Sequence, residues 1–313
     1  MTASASIFDL TGKTALVTGG SKGLGKAMAR VFVEHGADVL ICSRHEDELK
    51  AAATEIGEDL EGRVEWAVAD LADAAQAEGL AQETTRRMGR IDILVNNAGT
   101  NAPQPIDEVD DEKWTTMMEL NLTSAMRLSR ALVPAMKAQG WGRVIHVSSV
   151  LGLGGKEGRH GSCASKAGLV GLTRASALDL GTFGITVYCI APGPFLTDLP
   201  GRLLSDEQKR QFADRTALGR WGRPEELMGP ALLLASEAKA LFAAGLRPTW
   251  DPMGVYHVLH ACPQTNPSLF AGVRQVPPGH MLIATAAGHR LEKYWEVPAP
   301  PNPTRPGGAP DTT

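Results

Sequence analysis

The chain has 313 residues, 43% hydrophobic and 21% charged, with a net charge of −4. That balance fits a soluble globular protein and gives no basic surface for nucleic acid or for an anionic membrane. No apolar run approaches the roughly 20 residues that span a bilayer, the start "MTASASIFDLTGK" lacks a leader pattern, and the four cysteines have no metal-ligand spacing. These features predict a cytoplasmic protein with no metal site.

The first predicted strand is "KTALVTG", and a helical segment, "KAMARVFVEHG", follows it. "ADVLICS", "RVEWAVAD", "IDILVNNAG", "GRVIHVSS" and "ITVYCIAPG" repeat the strand signal, with helical stretches between most of them. Near-continuous apolar strands alternating with helices predict an α/β fold, a Rossmann-type doubly wound parallel sheet of six strands.

Between the first strand and helix stands "VTGGSKGLGKAMA". Gly19, Gly23 and Gly25 allow a tight turn and a close backbone approach to a pyrophosphate, with Ser21, Lys22 and Leu24 in the same loop. The second strand ends at Ser43 and Arg44, where an adenosine ribose would be read. An acid there would select NAD. An arginine with Lys22 nearby favours a 2′-phosphate, so NADP is expected over NAD.

Composition changes near residue 238: eight of the 20 prolines precede it and twelve follow. "HMLIATAAGHRLEKYWEV" predicts a hairpin joined at Ala-Ala-Gly, and "VPAPPNPTRPGGAPDTT" predicts disorder. The expected division is 1–237 for the NADP-binding domain, 238–298 for a second segment and 299–313 for a disordered tail. A single helix is expected across "ALLLASEAKALFAAG", ending near Gly245.

With "TGGSKGLG", "AD" at 69–70, "NNAG" at 96–99, Asn121 in "MMELNLTS", Ser149 in "VSSVLG", "ASKAG" at 164–168 and "PGPFLTD" at 192–198, residues 1–237 resemble a short-chain dehydrogenase/reductase. The wording is closest to gluconate-dehydrogenase-like and 3-oxoacyl-carrier-protein-reductase-like members. The resemblance implies hydride transfer between NADP(H) and a small alcohol or ketone. It implies that Asp70 and Leu71 flank adenine, that Asn97 lies near its ribose, and that Ala98 and Gly99 complete that wall. Pro192, Gly193 and Thr197 would lie beside the nicotinamide. Lys166 would bind the nicotinamide ribose and lower the pKa of a catalytic tyrosine, Ser149 would bind the substrate oxygen, and Asn121 would hold a relay water. Homo-tetramers or dimers are implied as well.

This chain departs from the pattern twice. The tyrosine position, four residues before Lys166, holds Ser162, and no tyrosine lies between Ser149 and Lys166. Serine is a far weaker acid than a phenol of pKa near 10. Water held by Lys166 and Asn121, or His160, is the proton source left. The second departure is Tyr188, where relatives carry asparagine; packing is its expected role.

From about Ser236 the chain resembles a fragment of glutamine-hydrolysing asparagine synthetase, through "SEAKALFAAGLRPTWDP", "LFAGVRQVPPGHML" and "KYWEVP". The amidotransferase nucleophile is an N-terminal cysteine, and here Met1 precedes Thr2. The seventh strand of the reductase fold is missing, along with surface that its oligomers use. The chain therefore reads as a chimera. Three functions remain open: an impaired oxidoreductase, a dinucleotide-binding protein without turnover, and a fusion product with no evolved activity.

Overall fold

The computed structural model describes residues 8–197, 205–214, 216, 218–236, 280–285 and 288–293. The chain divides into two compact units, Met1–Ala240 and Leu241–Thr313.

In the first unit the six expected strands form: β1 (Thr14–Thr18), β2 (Asp38–Ser43), β3 (Val64–Val68), β4 (Ile93–Asn96), β5 (Gly142–Val147) and β6 (Ile185–Ile190). They pair in parallel in the order β3-β2-β1-β4-β5-β6. The six-residue β5, GRVIHV, is buried throughout, as a central parallel strand covered on both faces must be.

Helices cover the two faces. On one lie α1 (Gly23–Glu34), α2 (Glu46–Gly57) and a late short helix, with Met28, Phe32, Leu49, Ile56 and Leu232 meeting Ile41 and Ile145 of the sheet. On the other lie α3 (Ala74–Met88), α5 (Ser124–Gln139) and α6 (His160–Leu180), which bring Leu80, Leu128, Met136 and Leu180 against Leu16 and Val144. Between α3 and α5 stands α4 (Asp111–Met118). The Asp73 carboxylate caps α3 by accepting from the N–H groups of Ala75 (2.8 Å) and Gln76 (3.1 Å), which fixes where the chain leaves β3.

Beyond α6 come α7 (Asp206–Asp214) and α8 (Met228–Ala235). The helix expected to run on to Gly245 stops at Ala235: Ser236 is extended, with φ −80° and ψ −171°. The cause is local. Arg143 of β5 is buried, and its Nε donates to the Ser236 carbonyl at 2.9 Å, occupying the acceptor that a continuing helix would use. Residues 237–245 of that expectation lie outside the described residues.

In the second unit, β7 (His280–Thr285) and β8 (Gly288–Lys293) pair antiparallel, with Thr285 opposite Gly288. The expected hairpin forms, and Gly288 opens its second strand instead of belonging to the turn. The tail expected to be disordered lies outside the described residues.

Strand order reverses between β1 and β4, so the loops after β1, β4, β5 and β6 converge at the carboxyl ends of the strands.

Candidate active site

A cavity of about 490 Å³ opens at that edge. Its nucleotide-like end begins with the loop from Gly19 to Leu24. Gly19 (φ +63°) and Gly23 (φ +53°) sit in the left-handed region that glycine tolerates. At Gly25 a Cβ would stand 2.3 Å from the Gly19 carbonyl oxygen, so only glycine lets α1 approach β1 this closely. The Asn97 side chain pins the turn, donating through Nδ2 to the carbonyls of Thr18 (2.9 Å) and Gly19 (3.2 Å). No side chain caps α1, and its first turn carries no acid. Its leading N–H groups therefore face the loop with their positive end uncompensated, the condition for binding an anion. This cradle fits a dinucleotide pyrophosphate.

At the outer wall stand Ser43, Arg44, His45 and Glu48. Lys22 is not free to act as a second cation: its Nζ lies 2.6 Å from the Glu48 carboxylate. Arg44 is exposed at the same wall. Glu48 escaped sequence reasoning because it lies one helical turn past the strand end, where only the packing of α2 brings it to the loop.

The other end gathers Thr100, Asn101, Ser149, Ser162 and Lys166, with Pro192, Gly193 and Thr197 across from them. Ala98 and Gly99 form the wall between. A Cβ on Gly99 would lie 3.5 Å from Lys166 Nζ and 3.2 Å from Asn121 Oδ1, so these groups meet at one point. Asn121 sits on a single π-helical turn, Glu119–Thr123, that interrupts the passage from α4 to α5. Its Nδ2 donates to the Thr100 carbonyl (3.0 Å) and to Ser165 Oγ (3.1 Å), and its Oδ1 accepts from the Thr100 N–H (2.8 Å). The buried amide thus ties the loop after β4 to α6.

Lys166 Nζ donates to the Val147 carbonyl at 2.7 Å. Burial lowers the ammonium to a pKa of about 8, with Cys189 opposing the shift. Beneath it, His146 is held near 4, first by burial and then by the Lys166 charge, so its imidazole is neutral at ordinary pH. The Asn96 Nδ2 and His146 Nδ1 atoms are 3.1 Å apart. Ser149 accepts from the Leu151 N–H at 3.1 Å, which caps the turn Val150–Gly152.

Ser162 lines the cavity but is 5% exposed, and its hydroxyl donates to Asn101 Oδ1 at 2.7 Å with Met117 Sδ at 3.7 Å. The hydroxyl at the position where an acid was expected thus donates to a neutral amide. Asn101 was missed in the sequence; its only signal is its place two residues beyond "NNAG".

Some expected members stand apart. Asp70 and Leu71 do not line this cavity, and Leu71 is buried in the core against α3. Gly25 acts from behind the loop, and His160 is not among the lining residues. Tyr188 pairs in register with Ile145 and so shares the α1 face of the sheet, away from Lys166 on α6. Among the described residues, no group of three or more His, Cys, Asp or Glu could hold a metal, and no helix is long and apolar enough to cross a membrane.

A doubly wound sheet with a glycine cradle at its switch point, and a lysine, serine and asparagine gathered beyond it, defines a Rossmann-type protein built around one elongated cleft. Residues 13–208 match the short chain dehydrogenase family model. The chain belongs to the short-chain dehydrogenase family of oxidoreductases. It is similar to the 3-oxoacyl-[acyl-carrier-protein] reductase of Chlamydia muridarum, 36% identical over 72% of this chain and 91% of that protein. It is equally similar to nodulation protein G of Rhizobium sp., 36% identical over 75% of this chain and 94% of that protein. Among solved structures it resembles a putative NAD(P) dependent gluconate 5-dehydrogenase from Beutenbergia cavernae with bound NADP at low occupancy. That likeness has a TM-score of 0.71 and 39% identity, covering 75% of this chain and 94% of that one. Residues 204–295 match a glutamine amidotransferase domain model, a range that starts before the expected position near 236 and reaches back over α7 and α8.

Proposed function

We propose that this chain binds NADP(H) and is a short-chain dehydrogenase-type oxidoreductase for a small alcohol or ketone, slowed at the proton-transfer step by Ser162. The observation that carries the reading is the position of that serine. Its hydroxyl stands in the cavity wall with Lys166 and Ser149, yet it donates to Asn101.

The dinucleotide, when bound, supplies or accepts hydride. Gly19, Ser21, Gly23 and Leu24 would receive its pyrophosphate on main-chain N–H groups, with Gly25 securing the turn. Arg44 would meet a 2′-phosphate, and Ser43 would line that pocket. Lys22 contributes less than its charge implies, because Glu48 is its partner. Asn97, Ala98 and Gly99 would form the wall along the ribose, and Pro192, Gly193 and Thr197 the wall along the carboxamide. Asp70 and Leu71 would act on adenine from outside the cavity as it stands.

At the reacting end, Lys166 places a half-buried cation where ribose hydroxyls would lie. Ser149 would donate to the substrate oxygen. A general acid is worth roughly 10²–10⁴-fold in rate, or about 3–5 kcal/mol. A serine hydroxyl supplies little of that, so the proton would reach the oxygen from water beside Lys166 and Asn121. Binding and hydride positioning do not need the missing phenol.

The amidotransferase-like segment from 238 to 298 reads as a foreign fragment joined to a reductase domain of 1–237, followed by a tail at 299–313. In this reading the protein is cytoplasmic, and the foreign segment replaces the part of the chain with which relatives assemble.

Fluorescence titration with NADPH and NADH tests the cofactor assignment. Tighter NADPH binding is expected, and replacing Ser43 with Asp together with Arg44→Ala should reverse the order. Equal affinity of the unaltered protein for both would refute NADP selectivity, and no binding of either would leave only the fusion-product reading.

A further inference from the structure

A second cavity, of about 250 Å³, opens between the loop after β4, the approach to α6 and α7. Arg159, Lys156, Pro103, Gln208, Gln211 and Phe212 contribute to its walls. Arg159 is the residue immediately before α6 and stands three positions ahead of Ser162 in the chain. Pro103 follows Asn101, the acceptor of the Ser162 hydroxyl, by two residues. Both cavities thus draw on the loop after β4 and on the approach to α6, the large one through Asn101 and Ser162 and the small one through Pro103 and Arg159.

Arg159 is only 9% exposed, and its Nη1 is buried with no hydrogen-bond partner. A guanidinium carries five N–H donors and stays charged, so burying it without an acceptor is costly. Burial lowers its pKa from the ordinary arginine value, with Cys163 and Glu157 acting weakly the other way. The backbone holds the residue in place: the Gly158 carbonyl accepts from the Gln104 N–H at 3.0 Å, and the Arg159 carbonyl accepts from the Cys163 N–H at 2.8 Å.

Lys156 brings a second cation, with its Nζ 4.0 Å from the Phe212 ring centroid. The Glu157 carboxylate stands 3.8 Å from that ammonium, and its side chain is 86% exposed, at the rim. Phe212 and Pro103 give the cavity apolar walls, which strengthen any ion pair formed inside. A carboxylate held in the cavity would lie beside the guanidinium and offset the cost of burying its charge.

Taking the oxidoreductase reading as its basis, the geometry points to a subsite at Arg159 and Lys156 for the carboxylate of the substrate, so that the preferred substrate is a small hydroxy or keto acid whose acid group lies a few bonds from the reacting carbon.

The test uses the full chain with matched ligands, 4-oxopentanoate and its neutral amide, titrated calorimetrically with and without NADPH. The acid is expected to bind at least ten times more tightly than the amide. Arg159→Gln should remove that preference while leaving NADPH affinity unchanged, and Lys156→Gln should weaken it about threefold. The melting temperature of Arg159→Gln without ligand should equal or exceed that of the unaltered protein, because a buried unpaired charge is removed. Equal affinity for acid and amide would overturn the assignment, and so would an Arg159→Gln protein that keeps the preference or melts several degrees lower. Inorganic phosphate displacing 4-oxopentanoate with higher affinity would overturn the carboxylate assignment in favour of a phosphate subsite. An Arg159-dependent preference for the acid in a protein that fails to bind NADPH would support the subsite and sink the oxidoreductase reading.

Discussion

The two ends of the large cavity are built to different standards. At the glycine loop no Cβ fits at Gly25, and Asn97 holds the turn from across the sheet. At the end proposed to react, hydrogen bonds hold Lys166, Ser149 and Asn121 in place, but the position expected to carry an acid holds a hydroxyl directed at Asn101. The contrast teaches that binding geometry and proton delivery are separable in this fold. The first rests on main-chain close approach, the second on one side chain.

Steric closure at the loop makes the strongest way to break the contrast. Gly25→Ala would force the loop off the Gly19 carbonyl and should cut NADPH affinity on the order of 10³-fold, about 4 kcal/mol. Any turnover should fall with it, while the chain still folds by circular dichroism. Retained NADPH affinity would show that the loop is not the cradle.

A pH titration of stability probes the reacting end. His146 has a folded pKa near 4 and an ordinary unfolded value of 6.5. Between those values the unfolded chain binds the proton and the folded chain does not. Stability is therefore complete above about 6.5 and is lost as pH falls toward 4, by roughly 2–3 kcal/mol for this group. Urea melts at pH 7 and pH 5 should differ accordingly, with the difference shrinking in His146→Phe. Equal midpoints at both pH values would mean that His146 is not held neutral.

The smallest expected effect concerns the outer wall. Lys22 and Glu48 are partly exposed, so their pairing is worth little. Glu48→Gln should release Lys22 toward a 2′-phosphate and raise NADPH affinity two- to fivefold, with NADH affinity unchanged. A matching gain for NADH would place the effect away from the 2′ position.

Local pattern explains why so much of this architecture was legible in the chain. Six strands announced themselves by β-branched runs, and the loop by glycines between a strand and a helix. Ser162 was legible because the family resemblance puts a tyrosine four residues before Lys166, and the sequence holds a serine there. What escaped was set by tertiary contact. Glu48 reaches Lys22 across 26 residues, Asn101 reaches Ser162 across 61, and Arg143 ends α8 through Ser236 across 93. The burial of His146 under Lys166 likewise depends on α6 lying over β5, which no local spacing encodes.

Ser162→Tyr measures the central claim most directly, with NADPH affinity and carbonyl turnover read on the same preparation. NADPH affinity should stay within about threefold while turnover rises by about 10²-fold or more. Turnover that stays flat while NADPH still binds would contradict the account, because the defect would then lie outside the acid position.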